Sequence, residues 1–243
     1  MESLAQFRSL LYWNFLRQKS LFILFTLAQM LLTISLVFGY PLIMGELDPE
    51  TTRYLASGSV LIGIISSGCT ISSPVVSHAK NEGHVDYLRA LPVPRLLISL
   101  ADLTIWFLAM LPGLLISIFL GQLKFGVPIT LTPSAAGAIL LITLTMISLG
   151  FSIAYVFPPN LVNLISQLIL MLGLMFSPIM YPADRLPRII NQIYGFLPFV
   201  PAADLLRATL YAENGQILFD TLILCCWFLL TQTIIFAWLK HER

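Results

Sequence analysis

Polar and apolar positions along this chain fall into long blocks, not into the alternation of a strand or the single stripe of a soluble helix. Six blocks of predominantly apolar residues cover 21–43, 54–76, 96–120, 133–157, 161–181 and 217–239. A run of about 20 such residues crosses a hydrocarbon core of about 30 Å as a helix. The pattern therefore predicts an all-α integral membrane protein with six transmembrane helices, built as one domain over residues 1–243. Composition agrees: 58% of the residues are hydrophobic and 10% charged, with mean hydropathy +0.88, against roughly 25% charged in a soluble domain.

Between the blocks, charge sets topology. An even number of spans puts both termini on one side. The termini and the loop 78–95 hold Arg8, Arg17, Lys19, Lys80, Arg89, Arg95, Lys240 and Arg243, whereas the opposite loops hold Arg53, Lys124, Arg185, Arg188 and Arg207. The excess of Lys and Arg places the termini in the cytoplasm, in a multi-pass protein of the plasma (inner) membrane. Polar residues interrupt the N-terminal apolar ones until the first block, so no short cleavable signal is expected and the first span stays. Leu4, Phe7, Leu11 and Phe15 share a helical face ahead of that block. This spacing predicts an amphipathic interfacial helix over residues 1–20, with a plain extension of the first span as the alternative.

Several chemistries are excluded. No acid, base or histidine occupies the middle of a span: Asp102 lies under two turns into the third, and Asp220 opens the sixth. Ion-coupled carriers usually need such groups. No phosphate loop of the form G-x-x-x-x-G-K-[ST] is present, so ATP-driven work falls to a partner and the chain itself is not an enzyme. A net charge of +1 without a basic cluster gives nucleic acid no electrostatic hold. Cys69, Cys225 and Cys226 sit inside apolar runs as small hydrophobes, and His78, Glu82, His84 and Asp86 lack a convincing ligand spacing, so no metal is expected.

Within the spans, Ser59, Ser66, Thr70 and Ser73 form a small and hydroxylated stripe on the second. Close helix packing is one reading and a polar substrate path the other. Pro112 and Gly113 predict a kink or local unwinding of the third span.

Two segments outside the spans are the most informative. In SHAKNEGHVDYLRALPVPRLL, Asn81 is placed to cap a short helix whose Val85, Leu88 and Leu91 share a face, and Pro92 ends it. Such a helix suits docking to a cytosolic protein. On the other side, SPIMYPADRLPRIINQIYGFLPFVPAADLLRATL carries too much charge and proline for a span and too much apolar surface for a hydrated loop. The compromise is a shallow outer re-entrant hairpin over 182–211, with short helices at about 186–194 and 202–211 meeting at a bend over 195–201. Tyr181, Tyr194 and Tyr211 are then expected near the interface.

Together these segments resemble the membrane subunits of the ABC type-2 permease family, over essentially the whole chain. The inner motif of that family is similar to EGHVDYLRALPVPR, in which Glu82, Gly83, Asp86, Leu88, Pro92, Val93 and Arg95 match. This chain lacks one spacer after Glu82 and has His84 and Arg89 where Thr and Leu are usual. The outer motif is matched by Ser177, Pro178, Tyr181, Pro182, Leu186 and Pro187, then by Pro198 through Arg207.

The resemblance implies a coupling helix at 81–91 that docks into a separate ABC ATPase subunit, through Glu82, Gly83, Val85, Asp86, Leu88, Leu91 and Pro92. It also implies an outer gate around Tyr181, Pro182, Leu186, Pro187, Pro198 and Arg207, and a pair of permeases formed by a second copy or a paralogue. ATP and Mg would belong to the partner, with no cofactor bound by this chain. The function expected is export of a small amphipathic molecule such as a drug, antibiotic or lipid-like compound. Export of polysaccharide or teichoic-acid chains is the alternative, with a secondary carrier, channel or immunity protein more distant. Aromatic walls from the first and fifth spans would favour the glycan, and Phe and Leu walls the hydrophobic cargo.

Overall fold

The computed structural model describes residues 2–44, 48–83, 93–130, 132–175, 177–181, 187, 194–211 and 215–241. Seven long helices account for most of the described residues: α1 (Glu2–Met44), α2 (Pro49–Asn81), α3 (Arg95–Phe125), α4 (Pro133–Val156), α5 (Pro159–Met175), α6 (Phe199–Leu210) and α7 (Ile217–His241). Five of them, α1 to α4 and α7, contain stretches long and apolar enough to cross a membrane. Helix α5 is apolar but only 17 residues long, at the short limit for a span. In order, α1 to α5 and α7 are the six predicted spans, and α6 is a short helix within the segment predicted as the outer hairpin.

Caps mark several ends. Asp48 accepts a hydrogen bond from the Thr51 amide and Pro49 opens α2. Thr132 accepts one from Ala135 and Pro133 opens α4; proline costs nothing in a first turn, where its missing donor would have no helical partner. Helix α2 runs to Asn81, five residues beyond the predicted span end. It stops at Gly83, which adopts φ 77° and lets its amide reach the Lys80 carbonyl. A left-handed residue after the last turn is readily supplied only by glycine. Asn81 is thus the last residue of a long helix and not the cap of a new one, while residues 84–92, with most of the expected coupling helix, lie outside the described residues.

Helices α1 and α3 lie side by side and run the same way. Leu10 packs with Ile98 and Ala101, Asn14 donates to Asp102 at 2.7 Å, Phe25 meets Trp106 at 5.0 Å, and Thr33 bonds Ser117 at 2.7 Å. This pairing changes the expectation for residues 1–20. Residues 2–20 are helical but continue without a break into the first span, because no proline or glycine interrupts α1 before Gly39 and α3 carries contacts along it. Residues 2–20 and the first span are therefore one helix. Helix α3 is likewise continuous through Pro112 and Gly113, so the expected unwinding does not occur. Gly113 instead makes room for Gln29: a Cβ added there would lie 2.3 Å from its Oε1.

The buried centre is the crossing of α2 and α4. A Cβ on Gly68 would stand 2.9 Å from the Met146 Cβ, and one on Gly150 would stand 2.1 Å from the Gly68 carbonyl. Where the backbones meet, Ser66–Ile71 is wound as a π-helix. The wider turn presents Ser67 to Gln29 at 3.1 Å, Cys69 to the Met146 carbonyl at 3.3 Å and Thr70 to the Ser166 carbonyl at 3.3 Å. One turn of α2 is thereby tied to α1, α4 and α5.

This close approach makes a sharp test. Gly150→Ala should destabilise the purified protein by about 1–3 kcal/mol, the usual cost of overpacking. Gly137→Ala, on the same helix with nothing within 4 Å, should leave thermal unfolding in detergent unchanged. Equal melting of the two variants would show that the helices part at no cost.

Candidate functional site

At one end of the bundle the chain leaves helical geometry while remaining buried. Ser177, Ile179 and Met180 are buried although residues 177–181 form no regular helix. Backbone groups in such a place must find protein partners, since lipid offers none. The Ser177 amide reaches back to Leu172 at 3.1 Å, and the Ile179 amide to Ser177 at 2.7 Å. The Ile179 carbonyl accepts from Arg207 Nη1 at 3.2 Å. Gly58 of α2 permits the strand of chain to come so near: its added Cβ would be 2.8 Å from that same carbonyl oxygen.

Arg207 is the centre of this arrangement. Its residue is only 3% exposed, so its charge needs partners. Nη2 donates to Asp204 Oδ1 at 2.6 Å, and the guanidinium lies 4.2 Å from the ring centre of Tyr54. A planar fork can serve carboxylate, carbonyl and ring face together, which a lysine ammonium cannot. The expected gate position Arg207 thus clamps α6, the 177–181 segment and the start of α2.

Helix α6 is positioned from both ends. Pro198 caps it and Pro201 falls in its first turn, where a missing amide costs little. It begins three residues before the expected 202–211. At the far end the Leu210 carbonyl accepts from the Thr130 amide at 2.8 Å and its hydroxyl at 3.0 Å. Before it, the Phe196 carbonyl accepts from Trp227 Nε1 at 2.8 Å, anchoring the bend to α7. Burial pushes the phenol of Tyr194 up, and that of Tyr211 to about 12. Among the remaining gate positions, Pro198 is buried and Pro187 exposed; Pro182, Leu186 and most of the expected helix at 186–194 lie outside the described residues.

The opposite end holds the loop expected to couple. Glu82 is exposed and Gly83 half-buried, while Val85, Asp86, Leu88, Leu91 and Pro92 lie outside the described residues. Just before them, Lys80 Nζ donates to the carbonyls of Ala154, Tyr155 and Phe157 at 2.8, 3.0 and 3.1 Å and sits 5.3 Å from the Trp238 ring centre. A cation on the last carbonyls of a helix is favourable. Lys80 therefore holds the end of α2 to those of α4 and α7. Sequence reasoning used Lys80 only as a topological charge; its place in the last turn of a helix is the signal that could have marked it as a cap.

The expected substrate-path hydroxyls are placed inside the subunit. Ser59, Ser66 and Ser73 are buried; Ser59 and Ser73 bond within their own helix, and Thr70, half-buried, reaches α5. The open polar surface lies elsewhere. On α5, Asn160, Asn163 and Gln167 are exposed in one stripe with Leu161, Leu164, Leu168, Met171 and Leu172.

A family model described as ABC-2 type transporter matches residues 5–211, from the first turn of α1 to the residue that ends α6. The chain belongs to the ABC-2 type transporter family. No curated protein matches it. As a member it is a membrane-spanning permease subunit of an ABC transporter, a family that works with ABC ATPase subunits. The matched interval takes in both informative segments of the permease, the loop at 78–95 and the Arg207 clamp.

For this permease, Arg207→Lys should loosen the clamp without deleting its charge. Losing one charge-assisted bond costs about 2 kcal/mol. In a background without Cys69, Cys225 and Cys226, a Ser177→Cys probe should react faster with a water-soluble maleimide when Arg207→Lys is added. Unchanged labelling would mean that the segment is held by packing alone.

Proposed function

We propose that this chain is the permease of an ATP-driven exporter of a small amphipathic molecule, paired with a second permease and driven by a separate ATPase subunit that carries ATP and Mg. Its termini and the 78–95 loop face the cytoplasm, and residues 177–211 form the outer gate. The plasma (inner) membrane is its site.

The observation that carries the substrate reading is the exposed face of α5. Gln167 lies at the middle of that helix, exposed and without a hydrogen-bond partner among the described residues. An amide facing hydrocarbon at that depth is costly. The face is therefore matched to water, cargo or a second permease. Its mixture of amides with leucine and methionine suits an amphipathic ligand, and α5 contains no aromatic residue, which weighs against stacking a glycan.

The geometry also supplies a route for coupling. Helix α2 spans 33 residues, about 50 Å. It ends beside the docking loop and begins at the clamp, where Tyr54 and Gly58 touch Arg207 and Ile179. Rigid-body movement of α2 on nucleotide binding would reach the gate through these contacts.

With the ATPase subunit present, Glu82→Ala or Leu88→Asp should leave assembly intact and cut substrate-stimulated ATP hydrolysis to the basal rate. Wild-type stimulation in both variants would defeat the docking assignment. Direction is tested in inverted membrane vesicles, which should accumulate a fluorescent amphipathic dye on addition of ATP; ATP-driven loss of preloaded dye from the same vesicles would mean import.

A further inference from the structure

Beside the clamp lies a cavity of about 360 Å³ between α6, the start of α7 and Tyr54, within the size range of small-ligand pockets. Asp220 lines it. This residue is 7% exposed, and its carboxylate makes no hydrogen bond or ion pair among the described residues. A buried carboxylate without a partner is expensive. The N-terminal dipole of α7 offsets only part of that cost.

The neighbouring charges do not settle it. Arg207 and Asp204 are close enough to act on Asp220 electrostatically, but the Arg207 guanidinium is already engaged by Asp204, the Ile179 carbonyl and the Tyr54 ring. Among the described residues lining the cavity, two carboxylates thus share one satisfied guanidinium, leaving one negative charge over. An anionic ligand would meet two acids. A metal ion is disfavoured because no group of three or more His, Cys, Asp or Glu side chains occurs among the described residues. The remaining wall includes Val200, Pro201, Ala208 and Phe219, which is apolar and suits carbon.

We propose that this cavity is a binding site for an organic ammonium group, with Asp220 as its anionic anchor and the apolar wall holding the attached body. The ammonium comes either from a soluble amine or from an aminolipid headgroup. The site needs neither ATP nor transport, so it stands or falls apart from the exporter reading.

The test uses the full chain in phosphatidylglycerol nanodiscs, whose lipid carries no ammonium, titrated calorimetrically with benzylammonium and with neutral benzyl alcohol. Benzylammonium should bind at least about tenfold more tightly, and Asp220→Asn should abolish that preference, because removing one partner of a buried charge pair costs at least this much. Ala208→Leu, which fills the cavity and keeps both carboxylates, should weaken binding as well and decides the matter if Asp220→Asn does not fold. Adding phosphatidylethanolamine to the nanodiscs separates the sources: competition with benzylammonium upholds a lipid ammonium, and its absence upholds a soluble amine. Equal affinity for the two probes, or wild-type preference in a folded Asp220→Asn protein, would overturn the proposal.

Discussion

A peptide group that leaves helical geometry inside a bilayer has to be bonded by the protein itself, and one side chain does this for the 177–181 segment. Arg207 closes the open carbonyl of Ile179 and is itself made tolerable by Asp204 and Tyr54. Remove the guanidinium and a carbonyl is left buried without its partner; remove the carboxylate and the charge is left with much weaker support. The surrounding architecture follows from that bond. Gly58 must be small for the segment to come within reach, α6 must start early enough to bring residue 207 inward, and Thr130 and Trp227 must hold its two flanks.

The same helix that supports this clamp ends at the other face of the bundle. Besides its apolar packing, α2 is joined to its neighbours by polar contacts: Ser67 to α1, Cys69 to α4, Thr70 to α5, and Lys80 to the last carbonyls of α4. These bonds are short-ranged and directional, so α2 has few intermediate positions available to it. Its π-helical turn adds a place where the ladder is already altered. A force applied near Gly83 is therefore transmitted along a helix whose sideways freedom is small.

The six spans were legible because block length is a strong signal that needs no tertiary information. The predicted start at Pro133 matches the helix, whereas α2 begins at Pro49, five residues before the predicted span. The π-helix was not legible: SSGCT reads as generic small-residue packing until Gly150 is known to press on Gly68. The reach of α2 to Asn81 was missed because Ser77, His78 and Lys80 look like loop, whereas Lys80 finds three carbonyls 74 to 77 residues away. In α6, Asp204 and Arg207 are visible as an i, i+3 pair. Tyr54 and Ile179 as their companions depend on chain paths that no local pattern encodes. The single long helix at the N-terminus shows the same limit, since one amphipathic stripe fits both the membrane surface and the flank of α3.

Surface composition separates the helices by what surrounds them. Helix α1 exposes Ile23, Leu24, Leu27, Leu31 and Phe38 through its span, and its exposed Ser35 satisfies itself on the Leu31 carbonyl. That face demands nothing of its solvent and is suited to lipid. Helix α7 is similar, with Leu218, Leu222, Leu229 and Leu230 exposed and Thr233 bonded to its own helix at Leu230. Helix α5 differs because an amide side chain is too long and has too many donors and acceptors to be satisfied by its own turn. Three such amides on one stripe of a 17-residue helix make lipid the least favourable surroundings for that face. Among the described residues of these three helices, the exposed faces of α1 and α7 suit lipid, and that of α5 suits a second permease, water or cargo.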